Sequence, residues 1–140
     1  MTEELKQKIL TYAIETEPFD RHNHITFTDV GDGTATVELD ICPDTLNRWG
    51  APHGGAVFTI CDVACGLATV SLRLETCVTL DASIRYIGAA AGTGKLFATG
   101  KVTKQTKKMS FCTAQVHDEE GKLIATADSV MYFTGRPMNI

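Results

Sequence analysis

Asp62 stands alone among apolar neighbours in the run Val57-Phe58-Thr59-Ile60-Cys61-Asp62-Val63-Ala64-Cys65. A carboxylate in such a run is costly to bury without a partner. Two readings follow. Against an apolar wall, Asp62 would have its proton affinity tuned for work as a general base or a nucleophile. Paired with Arg85 or Arg73, or turned to solvent, it would be structural. Nine residues earlier, His53-Gly54-Gly55 opens the same segment. If the segment is a helix, its first N–H groups are unpaired and lie at the positive end of the dipole. With no side chains at Gly54 and Gly55, a carbonyl oxygen could approach those amides, an oxyanion-type site. The glycines equally suit a plain loop-to-helix turn. His53 either orders its loop through ring hydrogen bonds or acts as a base. The supporting role is favoured, because helical rise puts Asp62 about 12–14 Å further along. That is too far for both residues of one chain to grip one reacting carbon. Either they do unrelated jobs or a site is shared between two chains.

The element that must position them is residues 54–70, which read as one long buried helix. Val57, Ile60, Cys61, Ala64 and Ala68 form one apolar face. Gly55, Thr59, Asp62, Gly66 and Thr69 form a second stripe, small or polar throughout. A helix apolar nearly all round belongs at the centre of a fold, and the small stripe lets a backbone or ligand come close. Around it the periodicity is that of strands. His24 to Val30 and Thr34 to Ile41 flank Gly31-Asp32-Gly33, a hairpin signal. Val78, Leu80, Ala82, Ile84 and Tyr86 alternate with Thr79, Asp81, Ser83 and Arg85. By that parity Thr79 lies opposite the apolar face, and reaching Asp62 needs an irregular start to the strand. Lys95 to Lys104, Met109 to His117 and Leu123 to Phe133 follow as strands, with Asp118-Glu119-Glu120-Gly121 as the last turn. Residues 3–15 read as a short amphipathic helix capped by Thr2 and stopped by Pro18, so residues 1–17 form an appendage. The expected fold is α+β, a single domain over 1–140. An antiparallel sheet of five to six strands wraps around one long helix.

Composition bounds the function. The chain has 140 residues, 44% hydrophobic, with 13 Lys and Arg against 17 Asp and Glu, a formal charge of −4. That excludes a disordered chain and argues against a general binder of nucleic acid or membrane surfaces. The stretch from Trp49 to Leu72 has the length of a membrane span, but Pro52, His53, the Gly54-Gly55 pair and Asp62 argue against one. The first residues are polar and acidic, so a cytoplasmic location with no secretory leader is expected. Five cysteines (Cys42, Cys61, Cys65, Cys77 and Cys112) without a Cys-x-x-Cys read as small buried thiols in a reducing compartment, and zinc is not expected. A chain this long leaves little room for a deep private pocket.

Asn47-x-x-Gly50-x-x-His53-Gly54-Gly55, with Asp62 nine residues after the histidine, resembles the PaaI-type branch of the hotdog-fold acyl-CoA thioesterases. Thr79-Leu80-Asp81-Ala82-Ser83-Ile84-Arg85-Tyr86 and Lys101-x-x-Lys104-Gln105-x-Lys107 agree in order, and the resemblance covers roughly residues 25–134. It implies a homodimer with the long helices side by side, often a dimer of dimers. It implies hydrolysis of an acyl-CoA, aryl or medium-chain, with no metal or cofactor. The Gly54 amide would polarise the thioester carbonyl, and Asn47 of that subunit would orient water or the carbonyl. Asp62 of the other subunit would act as base or nucleophile. His53 would brace the Asn47 loop, and Thr79 would hold water near Asp62. Gly55 would lie against the substrate. Coenzyme A is polyanionic, so a local basic patch must hold it: Lys104, Lys107 and Lys108, with Lys101 just before, or Arg48 near the loop. Those lysines could also simply solvate a hairpin. A non-catalytic acyl-CoA-binding sensor or carrier is the alternative, argued against by Asp62. A hotdog dehydratase or isomerase would use a different His-Phe-Pro-Gly-like loop.

Overall fold

Helix α3 (Gly54–Val70) lies across one face of a six-stranded antiparallel sheet in the computed structural model, which describes residues 1–140. The strands are β1 (Ile25–Gly31), β2 (Thr34–Ile41), β3 (Glu75–Tyr86), β4 (Gly94–Gln105), β5 (Met109–Asp118) and β6 (Leu123–Pro137), in spatial order β1-β2-β4-β5-β6-β3. The chain leaves β2, crosses the sheet as α3, and returns as β3 on the far edge. This is the α+β architecture expected from the alternating periods.

Pro18 does not lead into a loop. It begins a second short helix, α2 (Pro18–His22), directly after α1 (Glu3–Thr16). Proline's fixed φ and missing N–H suit a first helical turn, so it ends one helix and starts the next. Thr2 Oγ1 caps α1 by accepting from Leu5 N, and Ile9, Leu10 and Ala13 bury its inner face. The loop after β2 opens with a 3-10 turn at Pro43–Thr45.

The core fills the space between α3 and the sheet. Val57, Ile60, Ala64, Cys65 and Ala68 are buried with Val37, Leu39, Leu96, Ala98 and Val116 of β2, β4 and β5. The approach is closest at Gly100 of β4, where a Cβ would stand 2.6 Å from the Ala64 carbonyl carbon and oxygen and 2.8 Å from Cys65 N. Thr69, fully buried near the end of α3, donates to Ser110 Oγ at 3.0 Å and so ties the helix to β5.

Strand β3 departs from simple alternation. Thr79 pairs with Met131 and Asp81 with the next residue, Val130, so Leu80 is an extra residue in a β-bulge. The bulge reverses the parity. Before it, Cys77 and Thr79 turn toward α3 and bond Gly66 O and Asp62; after it, Ile84 packs on the core and Tyr86 reaches Gly54. Val78 and Leu80 therefore do not share a face with Ile84 and are 52% and 57% exposed.

Gly100→Ala is expected to destabilise the fold by about 1–3 kcal/mol, the usual cost of overpacking a filled core. Urea unfolding would show it as a lower midpoint with an unchanged slope.

Candidate active site

Asp62 sits on the flank of α3, half-buried, and accepts from Thr79 Oγ1 at 2.7 Å. No cation pairs with it. Arg85 instead reaches Asp128 at 3.2 Å. Arg73 donates to the backbone carbonyls of Thr106 and Lys107 and stacks on Phe133. The carboxylate is thus held by one hydroxyl and otherwise free to accept, and the bulge at Leu80 is what aims that hydroxyl.

Asp62 and Thr79 border a cleft of about 400 Å³ within a single chain. Its walls come from α1 and α2, the outer flank of α3 and the start of β3. Tyr12, Phe27, Val63, Leu67, Val70 and Met131 make it largely apolar. The cleft is half open rather than a deep private pocket, and the N-terminal helices supply one of its walls. Trp49, 81% exposed, Phe58 and Leu46 lie outside it.

At the N-terminus of α3 the amides are almost all taken. His53 Nδ1 accepts from Gly55 N at 2.8 Å, and His53 O accepts from Ala56 N and Val57 N at 2.9 and 3.2 Å. Gly54 N–H alone in this first turn has no partner. The Gly55 amide is not available to a substrate while His53 caps it, and the His53 ring braces the helix rather than the Asn47 loop. The loop braces itself: Asn47 Oδ1 accepts from Trp49 N at 2.9 Å and Ala51 N at 3.2 Å, and Leu46 bridges Pro52. Gly50 completes it at φ 78, a conformation that favours glycine.

Gly54 and Asp62 are eight residues apart on one helix, about 12 Å by rise. Lys104 ends β4, and Lys107 and Lys108 form the turn to β5. All three are exposed, and neither they nor Lys101 forms an ion pair. Arg73 anchors that turn beside the C-terminal end of α3. Arg48, exposed and 5.3 Å from the Trp49 ring centroid, lies in the loop that leads into the N-terminus of α3.

The sequence reading missed two residues. Tyr86 OH donates to Gly54 O at 2.9 Å, and its ring would stand 3.3 Å from a Cβ at Gly54. Asp20, only 3% exposed, lines the cleft, and its Oδ2 has no hydrogen-bond partner. Burial, then the charges of Glu17 and Asp62, push its carboxyl up to about 6. Nothing in Pro18-Phe19-Asp20-Arg21-His22 signals this, since the burial comes from the packing of α2 on β1 and on the cleft walls. Burial pushes Cys61 and Cys77 up to about 12, so both stay protonated, and Cys42 and Cys77 are half-buried rather than fully buried.

Residues 50–125 match the family model of the thioesterase superfamily, and the chain belongs to that superfamily. A protein of Archaeoglobus fulgidus that carries an esterase name is 31% identical over 104 residues, 74% of this chain and 67% of its own. A protein of Streptococcus pneumoniae TIGR4, solved with coenzyme A under the name hypothetical thioesterase protein, is 29% identical. It superposes with a TM-score of 0.75 over 81% of this chain and 88% of its own. The PaaI protein of the E. coli phenylacetic acid degradation operon, 21% identical, shares the fold with a TM-score of 0.86 over 95% of this chain and 98% of its own. The six-stranded sheet around one long helix is thus the hotdog fold.

Asp20 also yields a stability test. A carboxyl whose proton affinity is raised in the folded state binds more protons there than in the unfolded chain, so stability falls as pH rises from about 4 to about 6. Asp20→Asn is expected to match the wild type at the acid end of that window, pull ahead across it, and melt higher at pH 7. Thermal melts of both proteins across that range would check this.

Proposed function

We propose that this chain hydrolyses an acyl-CoA thioester, aryl or medium-chain, to the free acid and coenzyme A. The observation that carries the reading is Asp62 itself: a carboxylate without a cation partner, oriented by Thr79, at the rim of a largely apolar cleft. Asp62 takes a proton from water, and the water oxygen attacks the thioester carbon. The carbonyl oxygen, now negative, rests on the unpartnered Gly54 N–H. The C–S bond then breaks, and the departing thiolate takes up a proton. Attack by the carboxylate itself, followed by hydrolysis of the anhydride, uses the same groups. Asn47, whose Oδ1 is held by its own loop, presents its amide N–H₂ toward the carbonyl or the water.

The separation of Gly54 from Asp62 is resolved by a homodimer in which Gly54 of one subunit meets Asp62 of the other. Edge strand β3 supports that reading. It pairs only with β6 and carries Val78, Leu80 and Tyr86, with Ile87 just after it, all with more than half their surface exposed. An unpaired apolar edge invites a second copy, and two-fold pairing gives two sites. In such a dimer the lysine turn, past the C-terminal end of α3, and Arg48, in the loop before its N-terminus, come to one site from different subunits. They are the groups offered to the phosphates of coenzyme A.

Asp62→Asn is expected to lower kcat by about 10²–10⁴-fold. Thr79→Ala should cost about tenfold or more, the loss of one hydrogen bond to a charged group. Thiol release from a panel of aryl- and alkyl-CoAs measures both, and an Asp62→Asn protein as fast as wild type overturns the assignment. Leu80→Lys on the β3 edge should halve the mass seen in sedimentation and remove activity together. A wild type sedimenting as a single chain excludes the shared site.

A further inference from the structure

We propose that Asp20 selects the acyl group, so that the cleft prefers acyl chains carrying a hydrogen-bond donor, a hydroxyl or an amine, over plain hydrocarbon of the same length. The proposal rests on the thioesterase reading and adds a specificity-determining residue to it. Asp20 is 3% exposed and its Oδ2 accepts nothing. A desolvated carboxylate without a partner is among the rarer features of folded proteins. The fold does not need it: α2 uses the Asp20 backbone, and no side-chain contact is built on the carboxylate. Asp20 lines the same cleft that Asp62 and Thr79 border.

The surroundings narrow the ligand. The cleft volume, about 400 Å³, is that of a small-molecule pocket. Its apolar lining suits the carbon skeleton of an acyl group. Its charged groups are Glu17, Asp20 and Asp62, all acidic, and no Lys or Arg lines it. An acyl chain ending in a carboxylate is therefore repelled, and the phosphates of coenzyme A must lie elsewhere. A donor that reaches Asp20 replaces the hydrogen bonds lost on burial. An unsubstituted chain leaves the carboxylate unpaired, and that asymmetry is how a buried polar group discriminates. Tyr12 of α1, Glu17 between the two N-terminal helices and Asp20 of α2 lie outside the residues 50–125 that match the superfamily. Selectivity is thus placed on α2, and bond breaking on Asp62 within the matched residues.

The test compares four acyl-CoAs with one skeleton: hexanoyl, 6-hydroxyhexanoyl, 6-aminohexanoyl and adipoyl. In the wild type, kcat/KM for the hydroxy and amino substrates should exceed that for hexanoyl by roughly tenfold to a hundredfold, mostly through KM, with adipoyl lowest. Asp20→Leu should abolish the hydroxyl and amine advantage and the discrimination against adipoyl, read as the ratios of kcat/KM among the four substrates within that one variant. Asp20→Asn, which retains an acceptor oxygen but no charge, should keep part of the hydroxyl preference and lose the amine preference. A wild type indifferent to the substituents, or an Asp20→Leu protein that keeps the preference, overturns the proposal while leaving thioester hydrolysis intact. Release of coenzyme A from none of the four by a wild type that hydrolyses aryl-CoAs overturns this proposal alone; release from neither the four nor any aryl-CoA overturns the thioesterase reading and this proposal together.

Discussion

Everything in this molecule depends on how closely α3 can lie on the sheet. The contact between Gly100 and the Ala64–Cys65 backbone leaves no room for a side chain. The alanines and cysteines along the inner face of α3 repeat that economy. Because the helix sits so low, its apolar residues are enclosed by β2, β4 and β5, and its flank comes level with the start of β3. Asp62 is on that flank. A helix standing further off would carry the same carboxylate beyond the reach of Thr79.

The bulge at Leu80 follows from the same geometry. A regular β3 would present either Thr79 or the Ala82–Ile84–Tyr86 row to α3, not both, since side chains alternate. One extra residue satisfies the two demands: Thr79 toward Asp62, and Tyr86 toward the Gly54 carbonyl. The residues displaced outward, Val78 and Leu80, are left on an edge with unpaired backbone groups. The device that arranges the site thus also creates the surface on which a second chain would complete it.

Charge is laid out along α3 in a way that separates the two halves of a thioester substrate. The cleft beside Asp62 is bordered by carboxylates and apolar groups, whereas the unpaired lysines stand on the turn past the helix C-terminus. At the N-terminus, His53 consumes the amides that would otherwise hold any passing anion and leaves the one at Gly54. Asp20 belongs to this layout as a group whose burial costs the fold and is returned only when something fills the cleft.

Much of the fold is legible in the chain. The boundaries of α3, the hairpins and the late meander follow from local period and turn chemistry, which act over a few residues. The pairing of His53 with Gly54-Gly55 and the oddity of Asp62 in an apolar helix are likewise local facts. Thr79 is half legible: its parity shows that an irregular strand is needed, and the register of β3 against β6 shows where the irregularity falls. The partner of Gly55, the reach of Tyr86, the position of the lysine turn and the cleft itself are contacts between segments far apart in sequence. Asp20 shows the limit most clearly. Its residue type and neighbours describe an ordinary charged turn of helix. Its burial, raised proton affinity and place in the same cleft as Asp62 exist only once α2 has packed beside β1, because desolvation and Coulomb interaction depend on distance in space, not along the chain.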